Sequence, residues 1–189
     1  MISGALLAAI ASSGSVSEDF QAILSTVVGS DTSSVTLSSS GSSAPWTEFQ
    51  DLLLIASPRV TTSGTAGVML CKLNNNASNY STQNLHADGS AATATRSDEA
   101  GARIDCATRS SAHADQFGAL VATFGDINSA RYKAVMCIGA GLNNGVGEIG
   151  APVSIWRDTT AVTSLVFVDA GGNNIATGSR FDLYGLRSS

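Results

Sequence analysis

The sequence predicts an all-β protein, built as an antiparallel β-sandwich or barrel. Charged residues make up only 13% of the chain against 43% apolar residues, a balance that suits strands and tight turns better than long surface helices. From Trp46 onward, short apolar runs alternate with breaks of Gly, Asn, Asp and Ser. No segment after residue 45 has a helical period of useful length, which argues against folds whose parallel strands need crossover helices.

Residues 1–45 are predicted to form an N-terminal arm, partly helical and flexible. Residues 5–11 are apolar but too few to span a bilayer, and no basic residue precedes Arg59, so neither a membrane anchor nor a secretory signal is expected. A helix is predicted over residues 17–28, where four apolar residues recur at spacings of three and four: Phe20, Ile23, Leu24 and Val27. The Ser-rich residues 38–43 are predicted to be a linker.

Two roles for this arm remain open. It either inserts into a neighbouring subunit or packs on its own domain.

Residues 46–189 are predicted to form the sandwich domain, with about nine strands. Their expected ranges are 47–57, 66–73, 80–86, 102–108, 117–124, 132–139, 153–157, 162–168 and 179–186. Turn-forming residues separate them at 74–76, 88–89, 143–145 and 171–174.

Two of the predicted strands are apolar on both faces, at residues 52–55 and 165–168. One face of such a strand fills the core, and the other needs cover. We expect that cover to come from an identical subunit or a larger particle, the alternative being the protein's own loops or arm.

No catalytic, cofactor-binding or metal-binding residues are predicted. Cys71, Cys106 and Cys137 are widely spaced, lie in or beside apolar stretches and are predicted to be buried free thiols. A nucleophilic cysteine would need a histidine partner, but the two histidines, His86 and His113, lie in polar, loop-like surroundings. No zinc-ligand spacing is present. The net charge of -5 and the absence of a basic cluster argue against nucleic-acid binding.

Four polar segments are interpreted as loops and turns. Asp98 and Glu99 read as a solvated charge pair, and residues 110–115 contain Ser, His and Asp without forming a triad, because triads are assembled from separate elements. Residues 88–90 and 171–174 lack the ligand density of a calcium loop, and turn formation explains both.

Four aromatic residues lie in strand patterns and are predicted to be core residues: Trp156, Phe167, Phe181 and Tyr184.

The C-terminal part of the sequence resembles a known family. Its residues 154–167 read SIWRDTTAVTSLVF and residues 178–186 read GSRFDLYGL. These segments resemble the end of small jelly-roll-like structural proteins of tailed bacteriophages, which combine W-R-x-T-x-A-[IV]-T-S, a Gly/Asn turn and G-S-R-F-x-L-Y-G. Residues 73–80 resemble that family's Asn-rich turn but lack its Asp-x-Gly, so the resemblance gives this turn no ligand role.

The resemblance implies a jelly-roll-like sandwich and a virion structural protein without enzymatic activity. The expected role is capsid decoration or cement, as a homotrimer that binds other virion proteins such as the major capsid protein. The alternative is a tail-fibre or receptor-binding domain that contacts the host surface, such as a glycan.

Overall fold

A computed structural model describes residues 19–63, 66–143 and 146–187. These residues form thirteen strands and two short 3₁₀ turns, Ser39–Gly41 and Trp46–Glu48. The strands are β1 (Phe20–Val27), β2 (Val35–Ser38), β3 (Asp51–Ser57), β4 (Arg59–Val60), β5 (Ala66–Leu73), β6 (Tyr80–Ala87), β7 (Ala92–Ser97), β8 (Ala102–Arg109), β9 (Ala119–Gly125), β10 (Lys133–Asn143), β11 (Val146–Trp156), β12 (Ser164–Asp169) and β13 (Arg180–Leu186).

The strands form two sheets. The large sheet has eight strands in the order β1-β13-β3-β9-β10-β11-β6-β7, and the small sheet has five in the order β2-β12-β5-β8-β4. Within the described ranges the pairs are antiparallel, apart from the short parallel pair β4–β8. The predicted all-β, antiparallel sandwich is therefore confirmed.

The core lies between the two sheets and is filled by alternate residues of their facing strands. In β3, for example, Leu52 and Leu54 are fully buried while Ile55 is 41% exposed, as the two-residue period of a strand requires. The largest buried side chains come from both sheets and from the segment before β3; they include Trp46, Trp156, Tyr80, Phe124, Phe167 and Phe181.

Each of the nine predicted strands corresponds to a strand of the structure, and residues 66–73 match β5 at both ends. The turns predicted at residues 74–76, 88–89 and 171–174 also agree, while residues 144 and 145 of the fourth lie outside the described residues. Asn74 and Asn75 have positive φ angles of 53° and 55°, and Gly172 has a φ of 76°, conformations that these residue types tolerate.

The helix predicted for residues 17–28 is wrong over the described part of that range. Residues 20–27 form β1, which pairs with β13 along its whole length. A β-bulge shifts the register between Ala22 and Leu24. The bulge interrupts the alternation of a strand, so its apolar residues recur at spacings that resemble a helix.

The boundary predicted at residue 45 and the flexible linker are also wrong. Because β1 belongs to the large sheet and β2 to the small one, residues 20–38 are part of the sandwich. The Ser-rich residues 38–43 pack around Trp46, whose indole N–H donates to Ser42 Oγ at 2.7 Å and whose backbone N–H donates to Ser39 Oγ at 3.0 Å. These residues have little apolar surface and were therefore expected to be flexible, but hydrogen bonds from Trp46 to their serine hydroxyl groups hold them in place. Residues 1–18 of the predicted arm lie outside the described residues.

Candidate assembly face and inter-sheet polar cluster

The large sheet has an apolar surface on the side away from the core. We define the assembly face as the outward side chains of five neighbouring strands of this sheet: β3, β9, β10, β11 and β6. Seven large apolar side chains on these strands are 41–57% exposed, namely Ile55, Leu85, Val121, Met136, Ile138, Ile149 and Val153, and Ile155 is 37% exposed. Scattered exposed apolar residues are normal on a protein surface, whereas a large group on one sheet face is a feature of interaction sites and makes this face a candidate.

Strand register brings these side chains together. Val121 of β9 lies opposite Ile55 of β3 on one side and Ile138 of β10 on the other. Two residues before Ile138 on the same strand, Met136 of β10 lies opposite Val153 of β11. Directly opposite residues have Cβ atoms about 4.5–5.5 Å apart, so the apolar groups form a continuous surface.

Two shallow grooves lie on this surface. One, of about 590 Å³, is lined by residues that include Phe117, Ala119, Ala140 and Ile149. The other, of about 270 Å³, lies beside Ile55, Val121 and Ile138. Their linings are mainly apolar, which suits the side chains of a protein partner better than a polar small molecule.

Charged groups lie at the margins of the sheet. On β13, Arg180 donates to the Asp182 carboxylate at 2.7 Å, and both residues point to the same outer side. Phe20 of β1 stacks on Tyr184 of β13 with ring centroids 4.8 Å apart. Tyr184 was predicted to be a core residue; that prediction is wrong, since it is half-buried on the outer side. The predicted core positions of Trp156, Phe167 and Phe181 are confirmed.

A second feature, a polar cluster between the sheets, was not expected from the sequence. Arg103 of β8 donates to Asp105 Oδ1 at 2.7 Å and to Glu99 Oε1 at 3.2 Å. Nearby, His86 of β6 is hydrogen bonded to Glu148 of β11. The sequence signal was the Arg-x-Asp spacing, which places Arg103 and Asp105 on one face of a strand.

Asp105 of the small sheet lies directly against Gly150 of the large sheet. A Cβ added to Gly150 of β11 would lie 2.6 Å from Asp105 Oδ2, so only glycine leaves room for this carboxyl group. Asp105 is 2% exposed, and its Oδ2 has no hydrogen-bond partner among the described residues. Burial raises its pKa, and the Arg103 guanidinium opposes that effect only in part.

The cluster links β8 of the small sheet to β6 and β11 of the large one. Its carboxylates and imidazole are chemically able to bind a metal ion. However, the described residues contain no group of three or more His, Cys, Asp or Glu side chains placed to hold one. Glu99 was predicted to be a solvated loop charge; it is instead half-buried and paired with Arg103, while Asp98 is exposed as expected.

Ser110 and Asp115 of residues 110–115 are not arranged as members of a triad. Ser110 Oγ donates to the Thr62 carbonyl at 2.9 Å, and Asp115 is exposed. The segment is held instead by the buried Arg59, whose guanidinium donates to three of its carbonyl groups, those of Ser110, Ala112 and His113, and to that of the next residue, Gln116. The interpretation of this segment as a loop is therefore confirmed.

The two segments considered as calcium loops are turns. Asp88 Oδ1 accepts hydrogen bonds from the Ser90 hydroxyl and from the backbone N–H groups of Ser90 and Ala91, and these bonds lower the pKa of Asp88 to about 2. Asp169 Oδ2 accepts from the backbone and side chain of Asn173 at 3.1 and 2.8 Å. Each carboxylate thus stabilises its own turn.

Cys71 and Cys137 are buried free thiols, as predicted. Burial raises the pKa of Cys71 well above its ordinary value and that of Cys137 to about 12. Neither thiol therefore has the activated state that a nucleophile needs. The side chain of Cys106 lies outside the described part of the structure.

The described residues contain no helix long and apolar enough to cross a membrane. Comparison with the models of known protein families finds no match, and a search of curated proteins finds no significant relative.

Proposed function

We propose that this chain is a non-enzymatic structural protein of a tailed-bacteriophage particle, whose work is to bury its assembly face against other copies and other virion proteins. The observation that carries the proposal is the exposed apolar surface centred on Val121, Met136 and Ile138. Its location in the virion rests on the resemblance of the W-R-x-T and G-S-R-F-x-L-Y-G segments.

The dimensions of the face support a stable contact. Five strands at about 4.8 Å each and six residues at about 3.3 Å each give a footprint of roughly 500 Å². Including the flanking strands β13 and β7 raises it to roughly 670 Å². This is comparable with the roughly 800 Å² that each partner contributes to a standard interface.

The face also has the composition of an interface core. Its central side chains are Ile, Val, Leu and Met, and the ion pair of Arg180 and Asp182 lies towards the sheet edge. Charged residues are depleted at the centre of protein interfaces and collect at the rim. Apolar burial at about 25 cal/mol per Å² supplies the driving force.

We propose further that the sandwich is jelly-roll-like and that three copies associate. The early chain alternates between the sheets, with β1 in the large sheet, β2 in the small one and β3 in the large one again. In a homotrimer each copy covers the apolar face of its neighbours. The capsid decoration role then places the trimer on the major capsid protein.

Light scattering combined with a head-binding assay tests this function. We expect the full chain to be a trimer and to cosediment with heads of its phage that lack the protein. The predicted arm is tested with a chain that begins at residue 19, because β1 and β2, at residues 20–27 and 35–38, are strands of the two sheets. If the arm anchors the protein, this shortened chain stays folded but binds heads less well.

A full chain that ignores heads and instead binds isolated tails or host cells would contradict the capsid role and favour a receptor-binding role. A monomeric full chain would contradict the assembly proposal itself.

A further inference from the structure

Strand β7 is an exposed edge of the large sheet. It is the last strand in the sheet order and pairs with β6 over residues 92–97. The first five residues of β7 are exposed regardless of the direction in which they point, so neither face of this strand is covered within the described structure.

The hairpin between β6 and β7 determines which backbone groups point outward. The Asp88 N–H donates to the Ala91 carbonyl, which makes residues 88 and 91 a hydrogen-bonded pair. Hydrogen-bonded and non-hydrogen-bonded pairs alternate along an antiparallel ladder. From the register of β6 and β7, Thr93 and Thr95 therefore bond to β6, while the backbone groups of Ala92, Ala94 and Arg96 point away from it.

The other edge strands are shorter or covered. On β1, the Ser43 N–H donates to the Ile23 carbonyl at 2.8 Å, and a bulge interrupts the strand. Strand β2 has four residues and β4 has two. Natural proteins protect open edges with proline, bulges, charges or short strands, because a long open edge pairs with other chains. Among the edge strands that the structure describes, β7 combines the longest unprotected edge with an Ala/Thr sequence.

We propose that β7 pairs antiparallel with β7 of a second copy, about a two-fold axis at Ala94. In this register Ala94 faces Ala94 of the second copy, and Ala92 faces Arg96 on either side. Three outward-pointing residues from each copy then form about six backbone hydrogen bonds. A two-fold axis makes the contact self-complementary, as closed pairing of identical surfaces requires.

Charge does not oppose this register. The Arg96 side chains of the two copies lie four residues apart along the paired strands, roughly 14 Å at the rise of a strand. That separation exceeds the Debye length of about 8 Å at physiological salt, so their repulsion is screened. The contact uses the backbone edge of β7 and not the outward side chains of the assembly face, and it joins two oligomers formed through that face into a larger array.

Proline at Ala94 tests the proposal with little effect on the monomer. Proline removes an N–H group and is tolerated on edge strands where that group faces solvent. Ala94→Pro keeps the bonds between β6 and β7, and the matched control Ala94→Thr keeps the outward N–H. Sedimentation velocity over a concentration series, with circular dichroism to confirm folding, measures the association of each full-length chain.

We expect Ala94→Pro to weaken the pairwise association by about tenfold or more, because it removes two hydrogen bonds at the two-fold axis. Ala94→Thr should associate like the wild type. Equal association of wild type and Ala94→Pro, or equal loss in both variants, would overturn the proposal. Loss of the proline-sensitive association in a chain that begins at residue 19 would also overturn it, because the partner of β7 would then be the N-terminal segment.

The same series in an Ile138→Asp background separates this proposal from the assembly face. The β7 contact predicts that a proline-sensitive dimer persists in this background at high concentration. Absence of that dimer overturns the β7 proposal. An oligomer that Ile138→Asp leaves unchanged contradicts the assembly face instead.

Discussion

Gly185, the last glycine of the closing motif, leaves room for the Phe49 ring, and alanine at this position should destabilise the fold. A Cβ on Gly185 would lie 2.4 Å from two ring atoms and 2.6 Å from a third. Carbon atoms pack at about 3.5–4.0 Å, so the ring would have to move by about 1 Å or more. It has little freedom to do so, because Phe49 is 2% exposed and the Arg187 guanidinium lies over the ring, 4.9 Å from its centroid.

The magnitude follows from two opposing effects. Overpacking of a core costs about 1–3 kcal/mol. Replacing glycine with alanine also restricts the unfolded chain, which stabilises the protein by about 0.4–1 kcal/mol where the backbone conformation allows it. Gly185 is not among the glycines with positive φ, so that gain applies here. We expect Gly185→Ala to lower the free energy of unfolding by about 1–2 kcal/mol.

Urea unfolding followed by tryptophan fluorescence measures this change, because Trp46 and Trp156 are both buried in the folded state. Gly125→Ala is the matched control, since the nearest atom to its Cβ is the Ala134 carbonyl oxygen at 3.7 Å. This control should be neutral or slightly stabilising.

A double-mutant cycle identifies the cause of the change. Phe49→Ala removes the Cγ and Cδ atoms that clash, so Gly185→Ala should cost little in that background, with a coupling energy of about 1 kcal/mol or more. An equal cost in both backgrounds, or a Gly185→Ala variant as stable as the wild type, would refute the steric explanation.

Three further predictions concern the interior. The raised pKa of Asp105 means that its ionised form is less favourable in the folded state, so the free energy of unfolding falls as pH rises through the folded pKa. In urea unfolding, Asp105→Asn should therefore be more stable than the wild type at pH 7, and this difference should be lost well below the ordinary pKa of 3.8. A difference in stability that does not change with pH would contradict this. Ser42→Ala leaves the Trp46 indole N–H buried without a partner and should cost about 1–3 kcal/mol in the same assay, whereas no loss would indicate a dispensable linker. Cys71 and Cys137 should resist a thiol reagent at pH 8, so native protein labels at one cysteine at most, and labelling of two or more before unfolding would contradict their burial.

Nine of the eleven strands that the structure describes after residue 45 could be predicted because their signals are local, whereas β4 and β7 were missed. Short apolar runs ended by Asn or Gly residues specify where a strand stops, as at Leu73 and Asn74. The doubly apolar run at residues 52–55 likewise indicated an exposed apolar face, and Ile55 lies on it. The same short run of residues thus indicates both a strand of the core and an apolar face that is left exposed.

The N-terminal segment misled because tertiary contacts override its local pattern. Phe20, Ile23 and Val27 have helical spacing, yet a bulge and pairing with β13 make the segment a strand. The Ser-rich residues 38–43 have little apolar surface, but Ser39 and Ser42 satisfy the polar groups of Trp46. Neither partner is indicated by composition alone.

The polar cluster depends on contacts between elements far apart in sequence. Asp105 faces Gly150 only because β8 crosses β11 on the opposite sheet. No window of the sequence contains both residues. Contacts of this kind are set by how the sheets stack.

The most direct test of the assembly face is the sedimentation of full-length Ile138→Asp at low micromolar concentration, compared with Val27→Asp. Ile138 is 56% exposed at the centre of the face, and Val27 is 60% exposed on the edge strand β1. The account predicts that wild type and Val27→Asp sediment as oligomers, while Ile138→Asp stays folded as a monomer of 19.1 kDa. A wild-type monomer, or an oligomer that Ile138→Asp does not disturb, would contradict it.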